Sequence, residues 1–340
     1  RARNFHMTNI ICLTEIEIET FFPGDRISEA KALMDPCVSI DPGEFECDGD
    51  WGIFIEDNKP EIILSAWSMR GLPANALELA PSFRYLCYVP GSVRSKAPRS
   101  LIEKGLKVSN WNASISRTIS ECALLLILGC LRRVSYWTRE MHCEGAWKDA
   151  SATTQSLFGR RVGIHGFGQI AQKLIPLLRP FTDRISAYSP GVPQSIFEDL
   201  AVSRAESLEG LFSESDVVVE LEALTEESYR IVTEELLRSI PEGGVFVNTG
   251  RADVVDEDAL IRVAKEGNLQ IGLDVYWQEP LPKDSPLRGM PNVLLLPHLA
   301  GPTTDRTVDA GDFALDNLRR YRNSENVIGV IDLEVYDRST

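Results

Sequence analysis

The chain has 340 residues, 44% of them apolar, and sets 35 Lys+Arg against 50 Asp+Glu for a net charge of −15. That length accommodates two globular domains with real cores, and that charge excludes a generic binder of nucleic acid or anionic membrane. Aromatic residues at 8% and charged residues at 25% exclude a disordered or fibrous chain.

The longest apolar run, Ala123 to Leu131, lies between Glu121 and Arg132-Arg133 and falls short of the ~20 residues a spanning helix needs. No membrane segment is expected. Seven cysteines (Cys12, Cys37, Cys47, Cys87, Cys122, Cys130, Cys143) are odd in number and never in C-x-x-C spacing. They predict reduced thiols, a cytoplasmic location and no metal site. No charged n-region followed by an apolar h-region opens the chain, so no secretory signal is expected, and Met7 reads as the natural start.

From Thr8 to Trp111, short β-rich runs (Ile10-Cys12, Ile62-Ala66, Tyr85-Val89, Leu106-Val108) alternate with helical segments such as Ala74-Leu79 and Pro98-Lys104. Such alternation predicts a parallel α/β sheet. Ile119 to Met141 reads as one long helix linking two units. From Arg161 the alternation resumes more sharply, with strands at Arg161-Gly166, Arg184-Tyr188, Asp216-Leu221, Gly244-Asn248, Gln270-Val275 and Asn292-Pro297. Helices fall at Gln169-Leu178, Glu234-Ile240 and Asp256-Glu266. Strands joined by right-handed helical crossovers make a doubly wound sheet whose ligands lie beyond the strands' carboxyl ends. A last helical pattern, Thr303 to Tyr321, has no docking face fixed by its sequence.

Between the first strand and helix of this second half stand Gly166, Gly168 and Ala171, a G-x-G-x-x-A loop. The first glycine permits the tight turn, the second lets backbone approach a pyrophosphate, and the small third residue lets helix meet strand. The phosphates would sit at the helix start near Gln169 and Ile170, where amide N–H groups point outward. His165 reads as a strand-end residue facing neighbouring segments. About twenty residues on, where a carboxylate would receive the ribose hydroxyls of NAD, the chain has Tyr188-Ser189-Pro190. No Arg follows Ser189 closely, and Glu220 and Glu222 end another strand. NAD is therefore the expected cofactor, with NADP compatible with Ser189.

Three more strand ends deliver polar groups: Arg251 after Val247-Asn248-Thr249-Gly250, Asp274 and Glu279 after Gly272-Leu273, and His298 after Leu296-Pro297. An Arg forks onto carboxylates, and a His held by a Glu is a proton donor tunable to neutral pH. Singly, Arg251 suits a surface ion pair, Glu279 a solvated loop and His298 a hydrogen-bonded core position. Together on one edge of a dinucleotide sheet they make a chemical site.

From about Ser65 to Arg322 the chain resembles the D-isomer-specific 2-hydroxyacid dehydrogenase family, most specifically in LFGRRVG (157–163), VNTGRADVVDEDAL (247–260), GLDVYWQEPLP (272–282) and PHLAG (297–301). The resemblance implies a Rossmann-type coenzyme domain (118–303) inserted into a flavodoxin-like substrate domain (7–117 and 304–340), with the cofactor between them. It implies Arg251 as substrate binder, His298 as acid/base, Glu279 as its orienter and Asp274 near the nicotinamide. The cofactor set so implied is Gly166, Gly168, Gln169, Ile170, Ser189, Thr225, Thr249, Gly250, Asp274 and Gly301. The chain departs from the family pattern at Ser189, where Asp is usual, and at Leu221-Glu222-Ala223-Leu224-Thr225, where His-x-Pro-Leu-Thr is usual. In the first domain, Gly91-Ser92-Val93-Arg94 takes the place of the glycine loop that binds the substrate carboxylate. Ser92 and Arg94 there predict a substrate larger or more acidic than lactate or glycerate, and Trp67-Ser68-Met69-Arg70 walls the same cleft.

The expected activity is reversible reduction of a 2-oxo acid to a D-2-hydroxy acid by a nicotinamide cofactor, in a homodimer paired through Ile119 to Met141. The rival is a dinucleotide-sensing, co-repressor-like interaction protein on the same fold. Turnover of 2-oxo acids separates the two.

Overall fold

A computed structural model describes residues 7–150 and 152–338, and these divide into two compact units, one of residues up to 115 with those from 303 onward and one of the residues between. Both are α/β. In the first, β1 (Asn9–Cys12), β2 (Cys37–Ile40), β3 (Ile62–Ser65), β4 (Tyr85–Tyr88) and β5 (Lys107–Ser109) form a parallel sheet in the order β2-β1-β3-β4-β5. The strands β1, β3 and β4 are buried along their whole length, as apolar runs covered on both faces must be. Ile10, Ile63 and Leu86 pack with Trp51, Ile55 and Leu101 on one face. Ile11, Leu64 and Tyr85 pack with Phe21 and Phe22 on the other.

That second face is completed by the last long helix, Val308–Arg322, through Ala310, Ala314, Leu315 and Leu318. The helix thereby belongs to the first unit, fastened by the ion pairs Arg26–Asp312 and Arg319–Glu29. Strand β2 was not expected. It is an edge strand, and its sequence Cys-Val-Ser-Ile is only partly buried, so it carries no continuous apolar run.

The second unit contains β6 (Val162–His165), β7 (Ile185–Tyr188), β8 (Ser203–Arg204), β9 (Val217–Glu220), β10 (Val245–Asn248), β11 (Gln270–Leu273) and β12 (Val293–Leu295). All pair in parallel, in the order β12-β11-β10-β9-β6-β7-β8. This is the doubly wound dinucleotide topology, with the order reversing between β6 and β9. Its two faces carry separate apolar clusters, around Ile164, Val219 and Val247 on one side and Val218, Phe246 and Ile271 on the other.

The expected single helix from Ile119 to Met141 is two helices, Ser116–Leu131 and Val134–Cys143. Arg133 breaks it by adopting the left-handed conformation (φ 54°), with its guanidinium stacked 4.5 Å from the Tyr136 ring centre. Taken with the preceding turn, residues 112–131 are long and apolar enough to cross a bilayer, but half of that surface is buried in the fold. Ala123, Leu126, Ile127 and Cys130 pack into the sheet cluster, which makes the segment a core helix.

The start of β6 is clamped to the start of β9 by one side chain. Asp216 accepts from the backbone N–H of Arg161 at 2.9 Å and from its guanidinium at 2.7 and 3.2 Å. Those side-chain hydrogen bonds hold the Asp216 carboxyl below the usual carboxylate range. A depressed folded-state pKa stabilises above the unfolded value of ~3.9, and that contribution is lost as pH falls through the lower folded value. Asp216→Asn should therefore lower the melting temperature at pH 7, with the gap to the parent chain closing as pH is taken below 4 in thermal denaturation scans.

Candidate functional site

Because every strand of the second unit points the same way, their carboxyl ends share one edge. The register makes that edge a single row: Tyr188, His165, Glu220, Asn248, Leu273 and Leu295 are successive cross-strand neighbours. The next residue along each strand opens a loop, and those loops hold Ser189, Gly166, Leu221, Thr249, Asp274 and Leu296.

The glycine loop sits at the point where the strand order reverses. Gly166 has φ +84°, and a Cβ there would lie 2.6 Å from the backbone of Glu222, so only glycine fits. Gly168 caps the helix Gln169–Leu178 without offering a side-chain acceptor and faces open space. Ala171 is fully buried against the core, and the carbonyl of Ile170 accepts from Ser120 at 2.8 Å. A bare helix start beneath an unfilled glycine turn fits an anion such as a pyrophosphate. Just after β10 the hydroxyl of Thr249 is buried with no hydrogen-bond partner among the described residues, and an orphaned buried hydroxyl suits a bound polar group. These features fit a nicotinamide dinucleotide.

Beneath the loop, His165 and Glu220 are both buried, with Nδ1 of the imidazole 2.6 Å from the carboxylate and Nε2 4.0 Å from Glu222. The other Glu220 oxygen accepts from the Glu222 backbone N–H at 2.8 Å. Burial alone would keep the imidazole neutral, but Glu220 and then Glu222 outweigh it and raise the His165 pKa above its ordinary value. The expectation of His165 facing neighbouring segments holds, with Glu220 as the segment it faces.

Further along the edge, Asn248 closes a turn by accepting from Gly250 N–H at 2.9 Å and donating to the Arg251 carbonyl at 3.1 Å. The Arg251 guanidinium donates to the Gly250 carbonyl at 3.0 Å and lies within electrostatic range of Glu279. His298 Nδ1 is 2.7 Å from one oxygen of Glu279, whose other oxygen accepts from the Tyr276 N–H at 3.0 Å. The pair is half-exposed and lines a cavity of about 670 Å³ together with Tyr276, Leu281, Arg288 and Leu295. His298 itself is left-handed at φ 55°. The backbone that follows it is held by Asp274, which accepts from Leu299 and Ala300 N–H at 2.7 and 2.8 Å. Burial pushes the Asp274 carboxyl up, an effect those two N–H donors oppose.

Three residues expected at the cofactor or the substrate make contacts within their own unit. Both carboxylate oxygens of Asp274 accept from the His298 loop. The Thr225 hydroxyl closes a turn with Ser228. Arg94 donates to the carbonyls of Tyr336 and Asp337 at 3.4 and 2.6 Å, so its charge anchors the short C-terminal helix Leu333–Arg338 and no longer argues for an acidic substrate. In the same loop Val93 is buried, Ser92 is exposed, and the Gly91 carbonyl accepts from Asn110. Gly301 ends the His298 loop in open space.

Other residues at the two edges escaped the sequence. In the first unit Glu17 is buried and bridges two strand ends, accepting from Ser68 N–H at 2.7 Å and Thr14 N–H at 2.9 Å. Exposed Trp67 packs at a tilt against Phe21, with ring centres 4.7 Å apart. In the second unit, Arg204 lies in the same cavity as Ser189, so a cation does stand near Ser189, contrary to the expectation.

A family model described as D-isomer specific 2-hydroxyacid dehydrogenase, NAD binding domain, matches residues 124–300. The chain is 30% identical over 268 residues to a glyoxylate reductase of Korarchaeum cryptofilum, covering 78% of this chain and 80% of that protein. It is 28% identical over 275 residues to a glyoxylate/hydroxypyruvate reductase B of Yersinia pseudotuberculosis, covering 77% and 83%. Among solved structures, the apo D-mandelate dehydrogenase of Rhodotorula graminis shares the fold with a TM-score of 0.83 at 19% identity, over 96% of this chain and 98% of that one.

The chain contains only four histidines, which makes the buried one accessible to proton NMR. The His165 ring signals should titrate above the ~6.5 reference, and Glu220→Gln should bring the midpoint down. A raised folded-state value stabilises fully below ~6.5 and fades as pH rises through the folded midpoint.

Proposed function

This chain belongs to the D-isomer specific 2-hydroxyacid dehydrogenase family and is an NAD(P)-dependent oxidoreductase, and on that premise we propose that it reduces a short 2-oxo acid to the D-2-hydroxy acid with His298 as acid/base and Arg251 as substrate binder. The observation that carries the reading is the Glu279–His298 pair at 2.7 Å on the same strand-end edge as Arg251. The glyoxylate and hydroxypyruvate reductases among its relatives support those two acids as the first substrates to test.

The cofactor would be held by the loop of Gly166 and Gly168, the helix start at Gln169, and the turn of Thr249 and Gly250. When bound, the nicotinamide supplies a hydride to the carbonyl carbon. Arg251 is suited to fork onto the substrate carboxylate, fixing the carbonyl toward His298. Glu279 occupies Nδ1 and so leaves Nε2 of His298 to deliver a proton to the carbonyl oxygen as the C–H bond forms. Oxidation runs the same transfer backwards, with neutral His298 taking the hydroxyl proton. Asp274 acts one step removed, by holding the strained His298 backbone where Nε2 is aimed.

Steady-state assays with glyoxylate and hydroxypyruvate should give turnover with a reduced nicotinamide cofactor. His298→Gln should lower kcat by roughly 10²–10⁴-fold, because the proton donor is gone, while cofactor binding by calorimetry persists. Arg251→Gln should raise KM for the 2-oxo acid. A chain that binds the cofactor yet turns over neither acid nor a wider 2-oxo acid panel would refute the reading.

A second copy of the chain is the proposed partner. Leu125, Val134 and Met141 on the helix pair Ser116–Leu131 and Val134–Cys143 remain exposed, and an apolar stripe of that kind favours a two-fold interface. Light scattering should return twice the 37.9 kDa chain mass, and Val134→Glu with Met141→Glu should halve it.

A further inference from the structure

A second cavity, of about 510 Å³, opens at the carboxyl ends of β7 and β8, lined by Tyr188, Ser189, Pro190, Arg204, Ala205 and Glu206. The register that sets Ala187 opposite Arg204 carries a guanidinium to the loop where Ser189 replaces the usual acid. Arg204 donates to the carbonyls of Pro190 at 3.1 Å and Val192 at 3.3 Å, and its guanidinium lies 5.0 Å from the Phe197 ring centre. Carbonyl oxygens and an aromatic face hold the group in place without cancelling its charge. Among the described residues its partners include no carboxylate, and of the residues lining the cavity Glu206 is the one acid.

We propose that Arg204, with the hydroxyl of Ser189, receives the 2′-phosphate of NADPH and makes this chain prefer NADPH to NADH. The inference rests on the dinucleotide-binding reading above and adds the choice between the two cofactors. A ribose with both hydroxyls free is best met by a carboxylate that accepts from both, and position 189 offers none. A 2′-phosphate brings nearly two negative charges into a chain already at −15, so its binding requires a fixed cation at the point of contact. Arg204 is such a cation, and it is already ordered before a ligand arrives, so little rotamer freedom is lost on binding. Glu206 is the competing element: a carboxylate turned into the cavity would accept the ribose hydroxyls and repel the phosphate.

Calorimetry on the full chain separates these cases, using NADPH, NADH and two fragments that differ only by the phosphate, adenosine 2′,5′-bisphosphate and 5′-AMP. NADPH should bind roughly ten- to a hundredfold more tightly than NADH, the range expected for charge-assisted hydrogen bonds to one guanidinium. Arg204→Gln should bring the bisphosphate-to-AMP affinity ratio close to one. Arg204→Lys, which keeps the charge and loses the fork, should restore part of it. Glu206→Gln should raise NADPH affinity. Tighter binding of NADH, or an equal loss of both fragments in Arg204→Gln, would overturn the proposal while leaving the dehydrogenase reading in place. In the second case the guanidinium would be a stacking surface for adenine. Failure to bind either dinucleotide would overturn both readings.

Discussion

The active edge of this protein exists because its larger sheet is wholly parallel. Parallel pairing forces each strand to be followed by a crossover, and right-handed crossovers return every carboxyl end to the same side. The cross-strand row from Tyr188 through His165, Glu220, Asn248 and Leu273 to Leu295 brings residues from six separate segments of the chain onto one edge. No chemistry in the unit is local in sequence. The glycine loop and the loops that carry Arg251 and His298 each begin where a strand ends, and a one-residue slip in any strand would point the wrong side chain at the edge.

Rigidity at that edge is obtained by spending buried polar groups on backbone. Asp274 accepts two N–H groups immediately after His298, and such charge-assisted bonds contribute on the order of 1.5–3 kcal/mol each. The left-handed conformation of His298 costs on the order of 1–3 kcal/mol, so the anchor offsets the strain. Glu279 works the same way, one oxygen on Tyr276 N–H and the other on the imidazole. The same logic recurs in the first unit, where Glu17 ties the loop after β1 to the loop after β3.

Sequence periodicity reveals the interior strands because full burial leaves an uninterrupted apolar run, as in Val217–Val218–Val219. It conceals the edges. Both overlooked strands, β2 and β8, border their sheets, and β8 is two exposed residues, Ser203 and Arg204. Overlooking β8 is also why Arg204 was not seen beside Ser189, since fifteen residues of sequence separate them and only the register brings them together. The helix break at Arg133 was equally hidden, because a left-handed arginine stacked on Tyr136 has no compositional signature. Arg251, Glu279 and His298 were readable from strand-end position and family resemblance. The reassignment of Arg94 required the helix Leu333–Arg338, a short element that the sequence pattern does not announce.

The buried His165–Glu220 pair shows how the glycine loop tolerates acids where it would receive an anion. Glu220 is fully buried, its carboxylate and that of Glu222 lie 2.6 and 4.0 Å from the two ring nitrogens of His165, and the Glu222 backbone is what a side chain at Gly166 would meet, so two carboxylates flank the strand end from which the glycine loop starts. Left alone they would oppose an anion there, since charges a few ångströms apart in protein interact strongly. Burial opposes a charge on His165, but Glu220 and then Glu222 raise its pKa, so the imidazole takes up, more readily than a free one would, a proton that offsets their charge. The arrangement is also mechanical: Glu220 takes the Glu222 N–H with its second oxygen, and that backbone is what Gly166 must clear. Charge compensation and loop geometry therefore act through the same carboxylate, so removing the imidazole would disturb both the electrostatics and the shape of the dinucleotide loop.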